Sequence, residues 1–197
     1  MSNQTKIKGI IFDLGGVIVK AFGGKFLEYA SAKLGVSTEK LGEAVQKEEP
    51  PLQRGEITAI RFWQNVCKGL SVNCPNEEIL QTLWVEPYKQ YANVKKDTLE
   101  LIIKLKGKYK LAILSNTMEE HNEINKQRGL FNNFDAVLLS NELGMRKPEK
   151  EFFEAAARKL TLSFDELVFV DDEMRWVEAA RNHGLKAILF ESADQLE

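Results

Sequence analysis

From about Val94 onward the sequence alternates short apolar runs with helical patterns, and that alternation restricts the fold more than any other feature of the chain. Residues 97–105 put Leu99, Ile102 and Ile103 on one side of a helix, and Leu111-Ala112-Ile113-Leu114 follows as a strand. Thr117 and Glu120 have the spacing of a capping box, which predicts a helix opening there and ending at Gly129. A strand at 136–139 leads into a loop over 141–148 that carries Gly144, Arg146 and Lys147. A helix over 151–160 and a second capping-box match, Ser163 with Glu166, precede a strand at 167–170 that runs into Asp171-Asp172. A helix over 174–183 stopped by Gly184, a strand at 187–190 and a helix start at Ser192 complete the pattern. Repeated βα units of this length predict an α/β fold with a parallel sheet and helices on both faces.

The first strand lies far upstream, in Ile10-Ile11-Phe12-Asp13-Leu14-Gly15-Gly16-Val17, an apolar run closed by one carboxylate and two glycines. Between about Ala21 and Tyr91 the spacing is helical, with candidate helices over 25–34, 37–48, 58–70 and 76–91. Gly35, the pair Pro50-Pro51, Gly55 and Pro75 supply the breaks and starts. In the third helix Ile60, Trp63, Val66, Cys67 and Leu70 form one apolar face. This stretch reads as a small helical bundle inserted after the first strand.

With 197 residues the chain can bury a core without disulfide or metal staples. Lys and Arg number 27 against 29 Asp and Glu, a formal net charge of -2, which argues against nucleic acid or an anionic membrane as the main partner. Cys67 and Cys74 have neither metal-ligand spacing nor the count of a disulfide framework, so a reducing, cytoplasmic setting is expected. Asp13 in the middle of the N-terminal apolar stretch, and no small-residue cleavage site after it, argue against a signal peptide. No apolar run approaches the ~18 residues of a membrane span. The expected state is a monomer or weak homodimer.

In a parallel sheet the carboxyl ends of the strands share one edge, where open α/β sheets place ligands. Asp13, Ser115-Asn116 and Asp171-Asp172 all stand at such ends, and the loop after 140 can bring Lys147 to them. Carboxylates without histidines favour a hard cation such as Mg²⁺, which completes its octahedron with water and phosphate oxygen. Such a cation and Lys147 would neutralise a phosphoryl group enough for an anionic carboxylate to attack it and form an aspartyl-phosphate.

These stretches resemble the four motifs of the haloacid dehalogenase-like hydrolases: Phe12-Asp13-Leu14-Gly15-Gly16-Val17, Leu114-Ser115-Asn116-Thr117, Lys147-Pro148 and Phe169-Val170-Asp171-Asp172. The resemblance covers essentially the whole chain. It implies a Rossmann-like core from residues 1–18 and 95–197, with a helical cap over 19–94. It also implies a Mg²⁺-dependent phosphatase acting on a small phosphomonoester. Asp13 would be nucleophile and metal ligand, and Ser115 and Asn116 would contact or flank the phosphoryl group. Gly15 and Gly16 would lend backbone to substrate, the Gly15 carbonyl would also face the metal, Lys147 would hold Asp13 and the phosphoryl group in register, and Asp172 with Asp171 would complete the metal site.

Two positions depart from the family pattern. Gly15 stands where these phosphatases commonly carry a second aspartate as general acid, and in Asp-Leu-Gly, Ser-Asn-Thr and Gly-Met-Arg-Lys-Pro-Glu the chain resembles bacterial α-glucose-1-phosphate phosphatases. An anomeric leaving group needs less protonation than an ordinary alkoxide, so a sugar phosphate is the expected substrate. Trp176 stands where a polar residue commonly supports the metal. His121 is a candidate replacement acid, although a histidine near a helix start is more often exposed. Arg54, Glu56 and Trp63 are candidates for facing the substrate from the cap. Two alternatives stay open: a 2-haloacid dehalogenase, and a phosphate-binding protein that has lost turnover.

Overall fold

The computed structural model describes residues 6–196, so the outermost positions of the expected core segments, 1–5 and 197, lie outside the described residues. In chain order the elements are β1 (Gly9–Phe12), α1 (Gly23–Leu34), α2 (Thr38–Gln53), α3 (Ala59–Leu70), α4 (Glu77–Tyr91) and α5 (Lys96–Leu105). Then follow β2 (Lys110–Ser115), α6 (Glu119–Gln127), β3 (Ala136–Leu139), α7 (Ser140–Leu143), α8 (Lys150–Leu160), β4 (Leu167–Asp171), α9 (Met174–Asn182), β5 (Lys186–Leu189) and α10 (Ala193–Leu196). The five strands form one sheet in the order β3-β2-β1-β4-β5, and every pairing is parallel. β1 is central, with Phe12 opposite Ile113 on one side and Val170 on the other.

Both faces of the sheet are covered. Ile11, Leu114, Leu138 and Phe169 pack with Phe152, Phe153 and Ala156 of α8 on one side. Phe12, Leu111, Ile113 and Val170 pack with Ile102 of α5 on the other. A near-continuous apolar strand such as Leu111 to Leu114, fully buried along its length, is what a sheet enclosed on two sides requires.

Helices α1–α4 bury a separate apolar centre formed by Phe26, Leu41, Phe62, Trp63, Leu80 and Trp84, among others. Side-chain caps start three of them: Ser37, Thr58 and Asn76 accept from the backbone N–H three residues on. The chain leaves β1 for these helices and returns to α5 through adjacent segments. Val19 and Val94 bridge antiparallel, the Lys20 N–H donates to the Asn93 carbonyl, and the Lys95 N–H donates to the Ile18 carbonyl, both at 2.8 Å. The Lys95 ammonium also donates to the Gly16 carbonyl at 2.8 Å.

Three local expectations need correction. The Pro50-Pro51 pair does not break α2, which runs on to Gln53. Each proline removes one backbone donor, but buried Leu52 and the polar contacts of Gln53 and Arg54 with the sheet-bearing part keep the last turn helical. The Thr117–Glu120 capping box does not form: the Thr117 hydroxyl donates to Asn122 Oδ1 at 2.9 Å, and α6 starts at Glu119 without a side-chain cap. The loop over 141–148 begins with the short helix α7. The Ser163–Glu166 box is present, opening a single 3₁₀ turn.

Candidate active site

Lys147 organises the carboxyl edge of the sheet. Its ammonium lies 2.9 Å from Asp13 Oδ1 at the end of β1 and 2.6 Å from Asp171 Oδ2 at the end of β4, and its side chain is 2% exposed. An ammonium this deep in the protein is tolerable only with charge partners, and the two carboxylates provide them. Burial alone would lower the Lys147 pKa, but Asp13 and Asp171 outweigh it and hold the group above its ordinary value. Asn116, just past β2, fixes the residue from behind: its amide donates to the Lys147 carbonyl at 3.1 Å, and its Oδ1 accepts from the Lys147 N–H at 2.8 Å. Asn116 therefore lines the site with its amide already committed to this main-chain clamp.

Asp13, Asp171 and Asp172 bring ligand atoms within 4.8 Å of one another. Burial pushes the Asp13 carboxyl up to about 7, against the pull of Lys147 and the Leu14 N–H. Asp172 is also raised, by burial and by the Asp171 charge beside it. Asp171 Oδ2 is held by Lys147, and its Oδ1 accepts from the Glu173 N–H at 2.8 Å, so it has less freedom to turn than the other two. The glycine turn makes room for this cluster. Gly16 has φ +73°, and a Cβ there would lie 1.9 Å from Asp172 Oδ2. An all-oxygen donor set with excess negative charge fits a hard divalent cation such as Mg²⁺, with Asp13 and Asp172 the freer ligands.

A cavity of ≈ 640 Å³ opens over these groups between the sheet edge and the helices. Asp13, Gly15, Gly16, Ser115, Asn116, Lys147 and Asp172 all line it. Buried Asp171 lies behind them, reaching the cavity through Lys147. One wall is aromatic, with Phe22, Phe26, Trp84, Tyr88 and His121 in a chain of ring contacts. The other wall is polar, with Gln46, Glu49 and Gln53 from α2 facing Arg146, Glu173 and Arg175.

The expectations for His121 and the cap residues fare differently. His121 is 7% exposed, stacked on Tyr88 at 3.9 Å, and burial lowers its pKa to about 3. A ring so hard to protonate is neutral near pH 7 and cannot serve as an imidazolium acid. Trp63 is fully buried inside the helical cluster and does not reach the cavity, because the apolar face of α3 points inward. Arg54 pairs with Glu149 at 2.6 Å and exposed Glu56 lies beside it, both off the cavity wall. Trp176 is half-buried, with the Lys147 ammonium 5.8 Å and the Arg175 guanidinium 4.3 Å from its ring, so it packs the corner beneath the lysine. Sequence reasoning did not single out Glu49, Gln53 or Tyr88, and it placed Arg146 on the loop beside Lys147 without giving it a role. The Arg146-Lys147 dipeptide was the one available signal.

The parallel α/β sheet thus gathers a carboxylate trio, a strand-end serine and a buried lysine around one cavity. The chain belongs to the haloacid dehalogenase-like hydrolases, whose family model matches residues 7–184. It is 25% identical to the sesquiterpene phosphatase astK of Aspergillus oryzae over 182 residues, 92% of this chain and 88% of that protein. It is also 25% identical over 195 residues to the drimenol cyclase drtB of Aspergillus calidoustus, 97% of this chain but 35% of that much longer protein. In fold it matches an HAD-family enzyme of Bacteroides thetaiotaomicron, solved with magnesium and inorganic phosphate. The TM-score is 0.78 at 22% identity, over 94% of this chain and 95% of that one.

Proposed function

We propose that this protein is a Mg²⁺-dependent phosphomonoesterase that works through an aspartyl-phosphate on Asp13. The observation that carries the reading is the buried Lys147 ammonium held between Asp13 and Asp171, with Asp172 alongside at the mouth of the cavity. Lys147 fixes the rotation of the Asp13 carboxylate and presents positive charge to an incoming phosphoryl group, while Ser115, 3% exposed at the end of β2, offers a hydroxyl to its oxygens. Mg²⁺ held by Asp13 and Asp172, with the Gly15 carbonyl and Asp171 behind, would supply the further charge that keeps Asp13 ionised and neutralises the phosphoryl oxygens. Asp13 attacks phosphorus as the bond to the leaving oxygen breaks, and water then attacks the same phosphorus to release phosphate and restore the carboxylate. Residues 1–18 and 95–197 supply this chemistry as a Rossmann-like core, and 19–94 act as a cap that closes on the leaving group.

A sugar phosphate suits the polar wall, where Gln46, Glu49, Gln53 and Arg146 offer partners to several hydroxyls. The aromatic wall favours a second substrate class, the phosphate ester of an apolar alcohol, and the sesquiterpene phosphatase relative supports it. We place the enzyme in the cytoplasm, as a monomer or weak homodimer that acts on a small molecule and uses neither nucleic acid nor membrane as partner. Among the described residues no helix is long and apolar enough to cross a membrane.

The test is phosphate release from sugar-1-, sugar-6-, alkyl and terpenoid monophosphates with Mg²⁺ and with EDTA, on wild type and Asp13→Asn. Metal-dependent turnover that the substitution reduces by at least about 10³-fold is the expected result. Chloride release from 2-chloropropionate without metal would mark a dehalogenase instead. Phosphate binding with no turnover would mark a binding protein.

A further inference from the structure

An alkoxide leaving phosphorus needs a proton, and the cavity offers few groups able to give one. Asp13, Asp171 and Asp172 form the anionic cluster and Lys147 is shared between two of them. His121 is neutral, burial raises Tyr88 above its ordinary value, and exposed Glu173 is paired with Arg175. Position 15 has no side chain, and a Cβ there would meet nothing within 4 Å. Glu49 is the remaining carboxyl on the cavity wall. It sits on the helix that faces the leaving-group side, in the turn of α2 that continues through Pro50-Pro51.

Its surroundings are built. Arg146 Nε donates to Gln53 Oε1 at 2.9 Å, which turns the Gln53 amide away from Arg146, one helical turn on from Glu49, where it favours the ionised carboxyl. A core arginine thus sets the orientation of a cap glutamine beside the Glu49 carboxyl. The charged groups that face Glu49 are Arg146, Arg175 and Glu173, all from the core. Burial outweighs the two arginines and raises its pKa, so the protonated form persists to higher pH than in an ordinary glutamate.

We propose that Glu49 is the general acid and base of the reaction, delivered by the cap and held by Gln53 and Arg146. This rests on the phosphatase reading above. As Asp13 forms its bond to phosphorus and the phosphorus–leaving-oxygen bond breaks, the Glu49 carboxyl proton passes to the leaving oxygen and yields the alcohol. The Glu49 carboxylate then takes a proton from the water that attacks the aspartyl-phosphate, phosphate leaves, and Asp13 and the Glu49 carboxyl are both restored.

The test is the dependence of kcat/KM on leaving-group acidity in wild type and Glu49→Gln, an isosteric change that preserves the fold. Aryl phosphates from p-nitrophenyl to phenyl and alkyl phosphates make up the series. The wild type is expected to show a shallow dependence and the variant a steep one, with the loss growing to at least about 100-fold for alkyl esters. In the wild type kcat/KM for an alkyl ester falls as pH rises through the Glu49 titration, and that limb disappears in the variant. Gln53→Leu, a positioning variant, should move the limb to higher pH, because it removes the donor that favours the carboxylate. An equal loss across all leaving groups, or none, would overturn the role of Glu49. If the wild type turns over no member of the series, the phosphatase reading itself fails and this inference fails with it.

Discussion

His121 stands where a buried ring should impose a pH dependence on the whole fold. The folded chain keeps it neutral down to about pH 3, whereas the ordinary histidine value is 6.5. Between those two limits the unfolded chain binds a proton that the folded chain refuses. Stability is therefore full above the unfolded value and falls as pH drops, by about 1.4 kcal/mol per pH unit. Urea unfolding at pH 7 and pH 5 measures this. His121→Phe, which keeps the stacking on Tyr88, should shrink the difference between the two by about 2 kcal/mol. An unchanged difference would mean that the ring titrates normally in the fold. The position of His121 one turn into a helix was readable from sequence, but its burial was not, because the rings that enclose it come from Phe22, just before α1, and from α4, more than thirty residues upstream.

At the scale of elements, the chemistry depends on how strand ends are tied to the loops beyond them. Asn116 links the end of β2 to the loop that presents Lys147, and it does so entirely through main-chain groups of that lysine. Asn116→Ala would leave an N–H and a carbonyl unpaired beside a fully buried side chain. The expected cost is about 1–3 kcal/mol in stability, read from denaturant midpoints, with a fall in kcat as Lys147 loses its register with Asp13. A variant with wild-type stability and turnover would show that the loop holds itself.

The strands and their order of polar ends were legible because each signal is local: an apolar run, then Asp13, Ser115 or Asp171-Asp172. The parallel pairing then follows from connection length. The polar wall was not legible. Gln53 lies on α2 only because the helix persists through two prolines that local rules read as a stop, and what holds that turn, Arg146 and Glu149, lies about ninety residues away. Trp63 failed for the opposite reason. A tryptophan on an apolar stripe faces the centre of its own helical cluster, and the stripe was visible in the sequence.

At the scale of the molecule, the sheet with its two apolar faces and the helical cluster meet across a polar and aromatic seam. Asn125 Nδ2 donates to the Tyr88 hydroxyl at 2.7 Å, Arg128 donates to the Ala92 carbonyl at 2.7 Å, and Gly55 passes so close that a Cβ would lie 2.3 Å from the Asn141 carbonyl oxygen. The carboxylate trio proposed to hold Mg²⁺ lines the cavity between these two parts, so a cation bound there should stabilise the native state as a whole. At Mg²⁺ a hundredfold above its Kd the gain is about 2.7 kcal/mol, which corresponds to a rise in Tm of roughly 5–10 °C for a chain of this size. Scanning calorimetry with and without Mg²⁺ tests it. Asp172→Asn should abolish most of the rise, and a rise that survives would move the cation elsewhere.

The paired segments at Val19 and Val94 make the helical cluster a door hung on two pins rather than a weight on a tether. Their mutual hydrogen bonds remove the freedom to swivel about either segment alone, so any displacement of the helices over the sheet must be a bend of this ribbon. Lys95 is part of it and donates to the carbonyl of Gly16, the residue that lies directly against the Asp172 carboxylate. One hydrogen bond thus ties the ribbon to the glycine turn that makes room for the Asp172 carboxylate.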